Sequence, residues 1–222
     1  MVSWDEVRVA IVDGCRRLEA DGLVKISSGN VSVRLPPHEG KEIVAITPSS
    51  VPYRVLKPEQ VLVVDLDGNV IDGQGAASSE KGAHFAAYRA RPDVGSVIHS
   101  HSIYASALAV AGEELPPIID EQVIALGGAI RVTGYAMSAT PDLGRNAVEA
   151  LGERRAVLLR NHGVLGVGRD LDEALNVVTL VERVAQTYVL AKLIGGAQPL
   201  PDDIVKLQLK FYRLLHGLPA ED

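Results

Sequence analysis

A short β-hairpin set among amphipathic helices is the feature that most constrains how this chain can fold. Residues 61–72 contain two apolar strand patterns joined at Asp67-Gly68, a dipeptide typical of tight hairpin turns. Strands joined by such a short turn run antiparallel, which excludes an all-parallel sheet. Helical patterns occur on both sides of the hairpin. The sequence therefore predicts a layered α/β fold with a mixed sheet.

The remaining elements follow from the spacing of apolar residues and from the residues that start and stop each pattern. Ser3 and Glu6 form a predicted capping box, and Pro36 and Pro37 are expected to close the first strand. Helices are predicted over residues 4–21, 80–90, 104–111, 140–152 and 170–195, and after residue 202. Strands are predicted over residues 31–35, 42–46, 94–98 and 129–135, and on both sides of Asn161-His162-Gly163. We expect one domain over residues 1–222, with residues 203–222 as a C-terminal helical extension.

Charge and cysteine content argue against several classes of protein. The chain has 222 residues, with 28 acidic and 22 basic side chains and a net charge of −6. It has no run rich in lysine and arginine, which argues against nucleic acid or a membrane surface as a partner. Neither a signal peptide nor an apolar run long enough for a membrane span is visible. The single cysteine, Cys15, is expected to be a buried apolar residue, and we expect a cytoplasmic protein.

Three of the six histidines can converge on one point. His99 and His101 are two residues apart, and side chains two apart on a strand point to the same side. His162 lies in a turn between two apolar strands and adds a third imidazole. Three imidazoles with one open position are typical of catalytic zinc, whereas structural zinc sites mostly use cysteines, which this chain lacks. Zn²⁺ fits, and Co²⁺ or Mn²⁺ is possible; alternatively, His99 and His101 are polar residues at a strand end.

Glu80 is the fourth candidate ligand. It lies in the first turn of a predicted helix, where backbone amides favour a carboxylate, and it can act as metal ligand or general base. Its alternative role is to complement the helix dipole. His84 lies four residues later on the same helical face, so Glu80 and His84 form an alternative binding pair, although a partly buried structural histidine is expected there. His38 and His216 are expected to be solvated.

Three short turns rich in hydroxyl groups can hold a phosphate. Hydroxyls, a carboxamide and free amides at a turn or helix start bind phosphate without lysine. Each turn taken alone is more simply explained as a loop or a helix cap. The three turns are Ser27-Ser28-Gly29-Asn30, Thr47-Pro48-Ser49-Ser50 and Ser78-Ser79.

Four segments, in their order and at their spacing, resemble one protein family. They are SSGNVSVR, ITPSSVPY, SSE followed by HFAAYRARPDVGSVIHSHSIYASALAV, and RNHGVLGVG. The resemblance is to the zinc-dependent class II aldolase/adducin family, in particular to its aldolases of the L-fuculose-phosphate type, and it extends from the first helix to about Ala197. It implies a three-layer α/β/α sandwich with a mixed, mainly antiparallel central sheet. It also implies a homotetramer whose active sites lie between subunits.

The resemblance implies a role for each candidate residue. The zinc ligands of the family are matched by His99, His101, His162 and Glu80. Glu80 also matches the residue that acts as acid/base. The phosphate-binding positions are matched by Ser28, Gly29, Asn30, Ser49, Ser50, Ser78 and Ser79. Glu121 stands where the family has a tyrosine from a neighbouring subunit, and Tyr212 lies only near the position of a C-terminal tyrosine.

The reaction implied by the resemblance is cleavage of a phosphorylated ketose. L-Fuculose 1-phosphate, or a related deoxypentulose or ketose 1-phosphate, is expected to yield dihydroxyacetone phosphate and an aldehyde through a zinc-stabilised enediolate. Glu80 is expected to move the proton at the nucleophilic carbon, and Glu121, or a water it holds, to act at the aldehyde oxygen. The alternatives are a decarboxylase, epimerase or dehydratase of a phosphorylated sugar, or an adducin-like interaction module without catalysis. Epimerases have aspartate at the position of Glu80 and dehydratases have no carboxylate there, which favours the aldolases.

Overall fold

The computed structural model describes residues 3–219, which contain seven strands and seven α-helices. The strands are β1 Gly29–His38, β2 Lys41–Ile46, β3 Leu62–Asp65, β4 Val70–Asp72, β5 Ser96–Ser100, β6 Ala156–Leu159 and β7 Gly163–Gly168. The helices are α1 Trp4–Ala20, α2 Lys81–Ala90, α3 Ile103–Ala111, α4 Asp120–Leu126, α5 Pro141–Leu151, α6 Leu171–Leu193 and α7 Asp202–Leu215. The strands form one sheet in the order β4-β3-β2-β1-β5-β7-β6, and each neighbouring pair is antiparallel.

Both faces of the sheet are apolar, and helices cover both. In β2, Ile43 and Ala45 join the core formed with α1 and α6, whereas Val44 and Ile46 join the core formed with α2 and α5. Alternate residues of a strand point to opposite faces, so a continuous apolar run has to be covered on both sides. The predicted three-layer α/β/α sandwich is therefore confirmed.

The long helices begin where the sequence predicts. The Ser3 hydroxyl accepts a hydrogen bond from the Glu6 amide, and the Glu6 carboxylate accepts one from the Ser3 amide, which completes the predicted capping box before α1. The Asp170 side chain caps α6 in the same way by accepting the Glu173 amide. Cys15 is buried in α1, and burial raises the pKa of its thiol, so it is an unreactive core residue. Within residues 3–219, no helix has both the length and the apolar composition needed to cross a bilayer.

Strand β1 is longer than predicted, and one predicted strand is absent. Strand β1 does not close at Pro36 and Pro37 but continues to His38, because this part of β1 extends beyond its pairing with β5 and an irregularity in register separates it from β2. Residues 129–135 do not form a strand. They make isolated bridges to Leu115 and Leu158, and the pairing stops where the Thr133 hydroxyl, rather than a backbone carbonyl, accepts the Arg160 amide.

The C-terminal helix α7 packs next to α4, and Tyr212 is its largest buried side chain. This helix begins one residue before the predicted extension over residues 203–222, of which residues 220–222 lie outside the described range. That the chain forms one domain with this extension stays a prediction.

Strand β5 is the element that brings the candidate site together. It lies between β1 and β7, and its register places Asn30 of β1 and Leu165 of β7 on either side of His99. The strand covers residues 96–100 rather than the predicted 94–98, so His99 lies inside it and His101 follows directly after it. Two of the candidate ligands, His99 and His101, are therefore positioned by a central strand of the sheet.

Candidate metal centre and active site

Four side chains converge at the end of β5. The nearest ligand atoms of Glu80, His99, His101 and His162 all lie within 4.8 Å of one another. His99 and His101 come from β5 and its continuation, His162 from the turn between β6 and β7, and Glu80 from the N-cap position of α2. Three parts of the chain separated by up to 82 positions in the sequence thus supply one cluster. This cluster is a candidate metal-binding site.

Two glycines allow the strands beside His99 to come close enough. A β-carbon at Gly163 would lie 2.4 Å from the Ser100 carbonyl oxygen and 3.0 Å from the His101 ring. A β-carbon at Gly29 would lie 2.8 Å from the His99 carbonyl oxygen. Both distances are shorter than van der Waals contact, so any larger residue at either position would push β1 or β7 away from β5. Gly29 therefore has a packing role in addition to its predicted place in a phosphate turn.

The ligand atoms face one another directly. Nε2 of His99 lies 2.8 Å from Nε2 of His101 and 3.4 Å from a carboxylate oxygen of Glu80. The other carboxylate oxygen of Glu80 lies 3.1 Å from Nε2 of His162. In a tetrahedral zinc site with bonds of about 2.0–2.1 Å, ligand atoms are about 3.3 Å apart. The observed spacings therefore suit a small divalent ion.

A backbone hydrogen bond sets the tautomer of His99. Its Nδ1 lies 2.9 Å from the Val164 carbonyl oxygen, which can only accept, so Nδ1 carries the hydrogen and Nε2 has a free lone pair. This lone pair points at a Glu80 carboxylate oxygen, which also has lone pairs. Two acceptors that face each other are stabilised by a shared cation. The donor set of three imidazoles and one carboxylate thus fits zinc or a similar divalent metal.

Burial sets the charge states in this cluster. It lowers the pKa of His99 and of His101, and the Glu80 carboxylate only partly opposes this effect, so both imidazoles are neutral as metal ligation requires. Burial by itself would raise the pKa of Glu80. The hydrogen bonds from His162 and Asn30 outweigh it and hold the pKa of this carboxyl well below its usual range.

The three hydroxyl-rich turns adjoin one another. The Thr47 hydroxyl accepts the Val31 amide, which ties the second turn to the first. The Ser49 amide donates to the Ala76 carbonyl and the Ser78 amide to the Thr47 carbonyl, which ties the second turn to the third. The Ser78 hydroxyl accepts the Glu80 amide, 3.3 Å away. All three turns therefore lie around the start of α2, beside the metal cluster, and their binding of phosphate stays a prediction.

The predicted phosphate residues differ in how far their side chains are already engaged. Ser79 is exposed, and the hydroxyls of Ser49 and Ser50 lie 3.3 Å apart at the surface. The Ser28 hydroxyl instead donates to the Lys25 carbonyl and accepts the Lys25 amide within its own turn. Asn30 is buried, and both ends of its carboxamide are in use, as described below.

Several other candidates lie elsewhere. Glu121 is exposed on α4 and pairs with Arg183 of α6, so it is not part of the metal cluster of its own chain. His38 is exposed as predicted and has an edge contact with Trp4. The Tyr212 hydroxyl donates to the Glu153 carbonyl and is also outside the metal cluster.

The expectation that His216 is solvated is wrong. Its side chain is 5% exposed, its ring lies against Tyr212, and the Arg155 guanidinium donates to its Nδ1. Arg155 is fully buried and also pairs with Asp93, while Glu173 lies 3.7 Å from His216. We call these five residues, Asp93, Arg155, Glu173, Tyr212 and His216, the C-terminal cluster.

His84 is not one of the four converging ligands, and its hydrogen bonds to Ser32 and Asn30 were not predicted. It is completely buried rather than partly buried. Its Nδ1 contacts the Ser32 hydroxyl at 2.7 Å, which in turn contacts the Tyr88 hydroxyl at 2.8 Å, and its Nε2 contacts the Asn30 carboxamide oxygen. The Asn30 amide nitrogen then donates to Glu80 at 2.9 Å. A signal for this chain exists in the sequence, because Asn30 and Ser32 are two apart on a strand and Glu80, His84 and Tyr88 are four apart on a helix.

Comparison with known proteins supports the same family. Residues 9–189 match the family model described as Class II Aldolase and Adducin N-terminal domain. A 5-deoxy-D-ribulose 1-phosphate aldolase of Bacillus thuringiensis serovar kurstaki is 37% identical, over 88% of this chain and 90% of that protein. The L-fuculose phosphate aldolase of Escherichia coli (strain K12) is 32% identical, over 96% of each. A solved structure of an L-fuculose 1-phosphate aldolase superimposes with a TM-score of 0.88, at 36% identity, covering 96% of this chain and 98% of that one.

The chain therefore belongs to the class II aldolase and adducin family. The two curated relatives named above are both aldolases of phosphorylated sugars, and the chain spans nearly the whole length of each.

Proposed function

We propose that this protein is a metal-dependent aldolase that cleaves a ketose 1-phosphate to dihydroxyacetone phosphate and an aldehyde. The observation that carries the proposal is the convergence of three imidazoles and one carboxylate beside three hydroxyl-rich turns. The cluster suits a divalent ion, and the turns suit a phosphate. An interaction module without catalysis has no physical need for this combination.

In this proposal the residues of the metal cluster have two tasks, metal binding and proton transfer. His99, His101, His162 and Glu80 hold the ion, Zn²⁺ or alternatively Co²⁺ or Mn²⁺, which supplies Lewis-acid stabilisation of negative charge on oxygen. Glu80 moves a proton at the substrate carbon between the ketone and the bond that breaks. During cleavage the hydroxyl group on the other carbon of the breaking bond gives its proton to Glu121 or a water it holds, and this carbon becomes the aldehyde. The bonding electrons remain on the carbon next to the ketone, and Glu80 in its protonated form donates a proton to that carbon, which completes dihydroxyacetone phosphate.

In this proposal, the three hydroxyl-rich turns hold the phosphate on the half of the substrate that becomes dihydroxyacetone phosphate. Residues proposed for this contact are Ser28, Gly29, Asn30, Ser49, Ser50, Ser78 and Ser79. Because these turns lie beside the start of α2, a phosphate bound there fixes the distance from the reacting carbon to Glu80. Binding energy from a group that does not react is thereby used for orientation.

The relatives narrow the substrate class. One is named a 5-deoxy-D-ribulose 1-phosphate aldolase and the other an L-fuculose phosphate aldolase. Both names describe a phosphorylated deoxy sugar, and the first places the phosphate at carbon 1. We therefore propose L-fuculose 1-phosphate or a related deoxypentulose 1-phosphate as the substrate of this protein.

The test is an assay of the metal-loaded protein with a panel of substrates. L-Fuculose 1-phosphate, 5-deoxyribulose 1-phosphate and their unphosphorylated ketoses are incubated separately. Dihydroxyacetone phosphate is measured by coupled reduction for the phosphorylated ketoses, and the aldehyde, which cleavage of either form would release, is measured for all four. We expect release of the aldehyde only from the phosphorylated ketoses and only without chelator. Absence of release from every ketose phosphate, together with carbon dioxide from a phosphorylated sugar acid, would instead support a decarboxylase.

We propose that the protein is a cytoplasmic homotetramer. In it, Glu121 acts at the aldehyde oxygen of the substrate bound in a neighbouring subunit. Its carboxylate is 58% exposed on α4 and is therefore accessible to another chain. An isolated subunit would then have its metal ligands and its phosphate-binding residues but would lack the group that acts at the aldehyde oxygen. It would therefore cleave the substrate slowly. Sedimentation of the native protein is expected to give a tetramer.

Mixed tetramers test the Glu121 assignment. Glu80→Gln subunits and Glu121→Gln subunits, each nearly inactive alone, are mixed after reversible dissociation. Partial recovery of activity is expected, because some sites in a mixed ring combine an intact Glu80 with an intact Glu121 from the next chain. No recovery despite proven mixing would remove Glu121 from the reaction.

A further inference from the structure

A continuous chain of buried hydrogen bonds leads from the core to Glu80. It passes from Tyr88 to Ser32, His84, Asn30 and Glu80. The four residues behind Glu80 are each at most 2% exposed. Three of them, Asn30, Ser32 and Tyr88, have neutral side chains, and burial lowers the pKa of His84 to about 4, so the chain carries no charge until it reaches the carboxylate. Polar groups buried at this depth have to be satisfied by one another.

The direction of every bond in this chain follows from its last member. A carboxylate oxygen accepts, so the Asn30 amide nitrogen donates to Glu80 and the Asn30 oxygen faces His84. That oxygen also only accepts, so Nε2 of His84 carries the hydrogen. In a neutral ring Nδ1 is then an acceptor, and it receives the hydrogen of the Ser32 hydroxyl. Ser32 in turn accepts from the Tyr88 hydroxyl.

We propose that His84 is a positioning residue for Glu80, which fixes the Asn30 carboxamide so that its amide faces the catalytic carboxylate. This proposal rests on the role of Glu80 in the proposed function. Without the hydrogen on Nε2 of His84, the Asn30 carboxamide is free to flip, so that its oxygen and its nitrogen exchange positions. Its oxygen would then face the Glu80 oxygen, and two acceptors would repel each other. One oxygen of Glu80 is held by Asn30 and the other lies against His162, so His84 controls the plane of the carboxylate.

The same arrangement connects two parts of the site. The amide nitrogen of Asn30 has two hydrogens, and only one of them is needed for Glu80. Asn30 is also one of the residues proposed to bind phosphate, and its second amide hydrogen is the one that would serve that contact. Through Asn30, His84 sets the orientation of the carboxylate and of this donor together.

The first test is the tautomer of His84, which needs no substrate. Zinc-loaded protein labelled with ¹⁵N-histidine is studied by long-range ¹H–¹⁵N correlation near neutral pH, and the His84 signals are assigned by their loss in His84→Gln. We expect a neutral ring with its hydrogen on Nε2. A hydrogen on Nδ1 alone, or on both nitrogens, would overturn the proposal. Since no turnover is measured, this result is independent of whether the protein is an aldolase.

The second test separates positioning from general stability. His84→Phe keeps a buried ring but removes the Nε2 donor, and we expect kcat to fall about 10–100-fold, as is typical when a group supporting a ligand is lost. Metal content is expected to stay at one ion per subunit, and KM to change less than kcat. His84→Gln, whose amide can donate to Asn30 from a similar position, is expected to recover most of the lost kcat.

The matched control is His216→Phe, the same substitution at the buried histidine of the C-terminal cluster. We expect it to lower Tm while kcat stays at the wild-type value. Equal losses of kcat in His84→Phe and His216→Phe, or a full kcat in His84→Phe, would contradict the positioning role. If the wild-type protein cleaves no ketose phosphate, the proposed function fails, and the tautomer still decides whether the hydrogen-bond chain has the stated direction.

Discussion

The metal cluster and the C-terminal cluster both bring histidine and carboxylate side chains together, but they differ in one component. In the C-terminal cluster the Arg155 guanidinium donates to Asp93 at 3.0 Å and also to His216. The protein itself supplies the positive charge there. In the metal cluster the four ligand atoms face one another, and none of them belongs to arginine or lysine.

This difference distinguishes a structural cluster from a binding site. Acceptors that converge without a built-in cation are unstable unless they share a proton or a metal ion, whereas acceptors around a guanidinium are already paired. The presence of histidine beside carboxylate does not by itself tell the two clusters apart. The two kinds of cluster are distinguished by whether a positively charged side chain of the protein lies opposite the lone pairs of the acceptor atoms.

The largest expected contrast is in metal binding. His162→Ala removes a proposed ligand and is expected to weaken metal affinity by more than the roughly 10–100-fold that loss of a supporting group costs. His216→Ala removes a histidine of the C-terminal cluster and is expected to leave metal content unchanged. Both are measured by metal analysis after dialysis. Full occupancy in His162→Ala would remove this residue from the site and break the comparison.

The next contrast is between two carboxylates. Glu80→Gln keeps the size and one oxygen of the side chain but removes the base, so metal is expected to remain largely bound while kcat falls by about two orders of magnitude or more. Glu173→Gln in the C-terminal cluster is expected to lower Tm and to leave kcat unchanged. Steady-state kinetics and metal analysis check both variants. A Glu80→Gln protein with normal turnover would require another base.

A smaller effect is expected at the phosphate turns. Ser79→Ala removes an exposed hydroxyl beside Glu80, and loss of a hydrogen bond to a charged group costs about 1.5–3 kcal/mol, which raises KM at least about tenfold. Asn30→Ala is expected to raise KM and also to lower kcat, because Asn30 contacts Glu80. Kinetics with inorganic phosphate as inhibitor checks both. Equal KM values for Ser79→Ala and wild type would exclude Ser79 from phosphate binding.

The smallest expected effect concerns the pH dependence of stability. Burial, with a further contribution from Arg155, lowers the pKa of His216 to about 4, against about 6.5 in an unfolded chain. Between these values the unfolded state binds more protons, so this contribution to stability is complete above pH 6.5 and is lost as the pH falls towards 4. His216→Gln is expected to reduce the fall in Tm over this range by about 2–4 °C, for an effect of about 1 kcal/mol after screening by solvent. Identical pH profiles of Tm would contradict burial of this imidazole.

Elements with a strong local pattern were predictable. The capping box and apolar spacing gave α1, and the Asp67-Gly68 turn gave the β3–β4 hairpin. The limits of β5 were misplaced because Val94 is apolar and fully buried but lies in the turn before the strand. Apolar character reports burial, and it does not by itself report strand pairing.

The site was predictable only in part, for a similar reason. His99 and His101 follow from a period of two, and His162 and Glu80 were candidates by residue type and position, whereas the match of all four to one ligand set came from the family resemblance. The burial of His216 depends on Arg155, which lies 61 positions away. Likewise, the link from His84 to Asn30 depends on how α2 packs on β1, and one sequence contains both spacings without showing that the two elements meet.

The two glycines beside β5 limit how this centre can be redesigned. Gly29 and Gly163 allow the neighbouring strands to approach His99 from both sides, and a β-carbon at either one would overlap backbone oxygen. A library intended to change the chemistry of the centre should therefore keep both positions fixed and vary the residues of the surrounding turns. Substitutions at these glycines would resemble losses of catalytic groups in an activity screen, although neither glycine offers a side chain to the reaction.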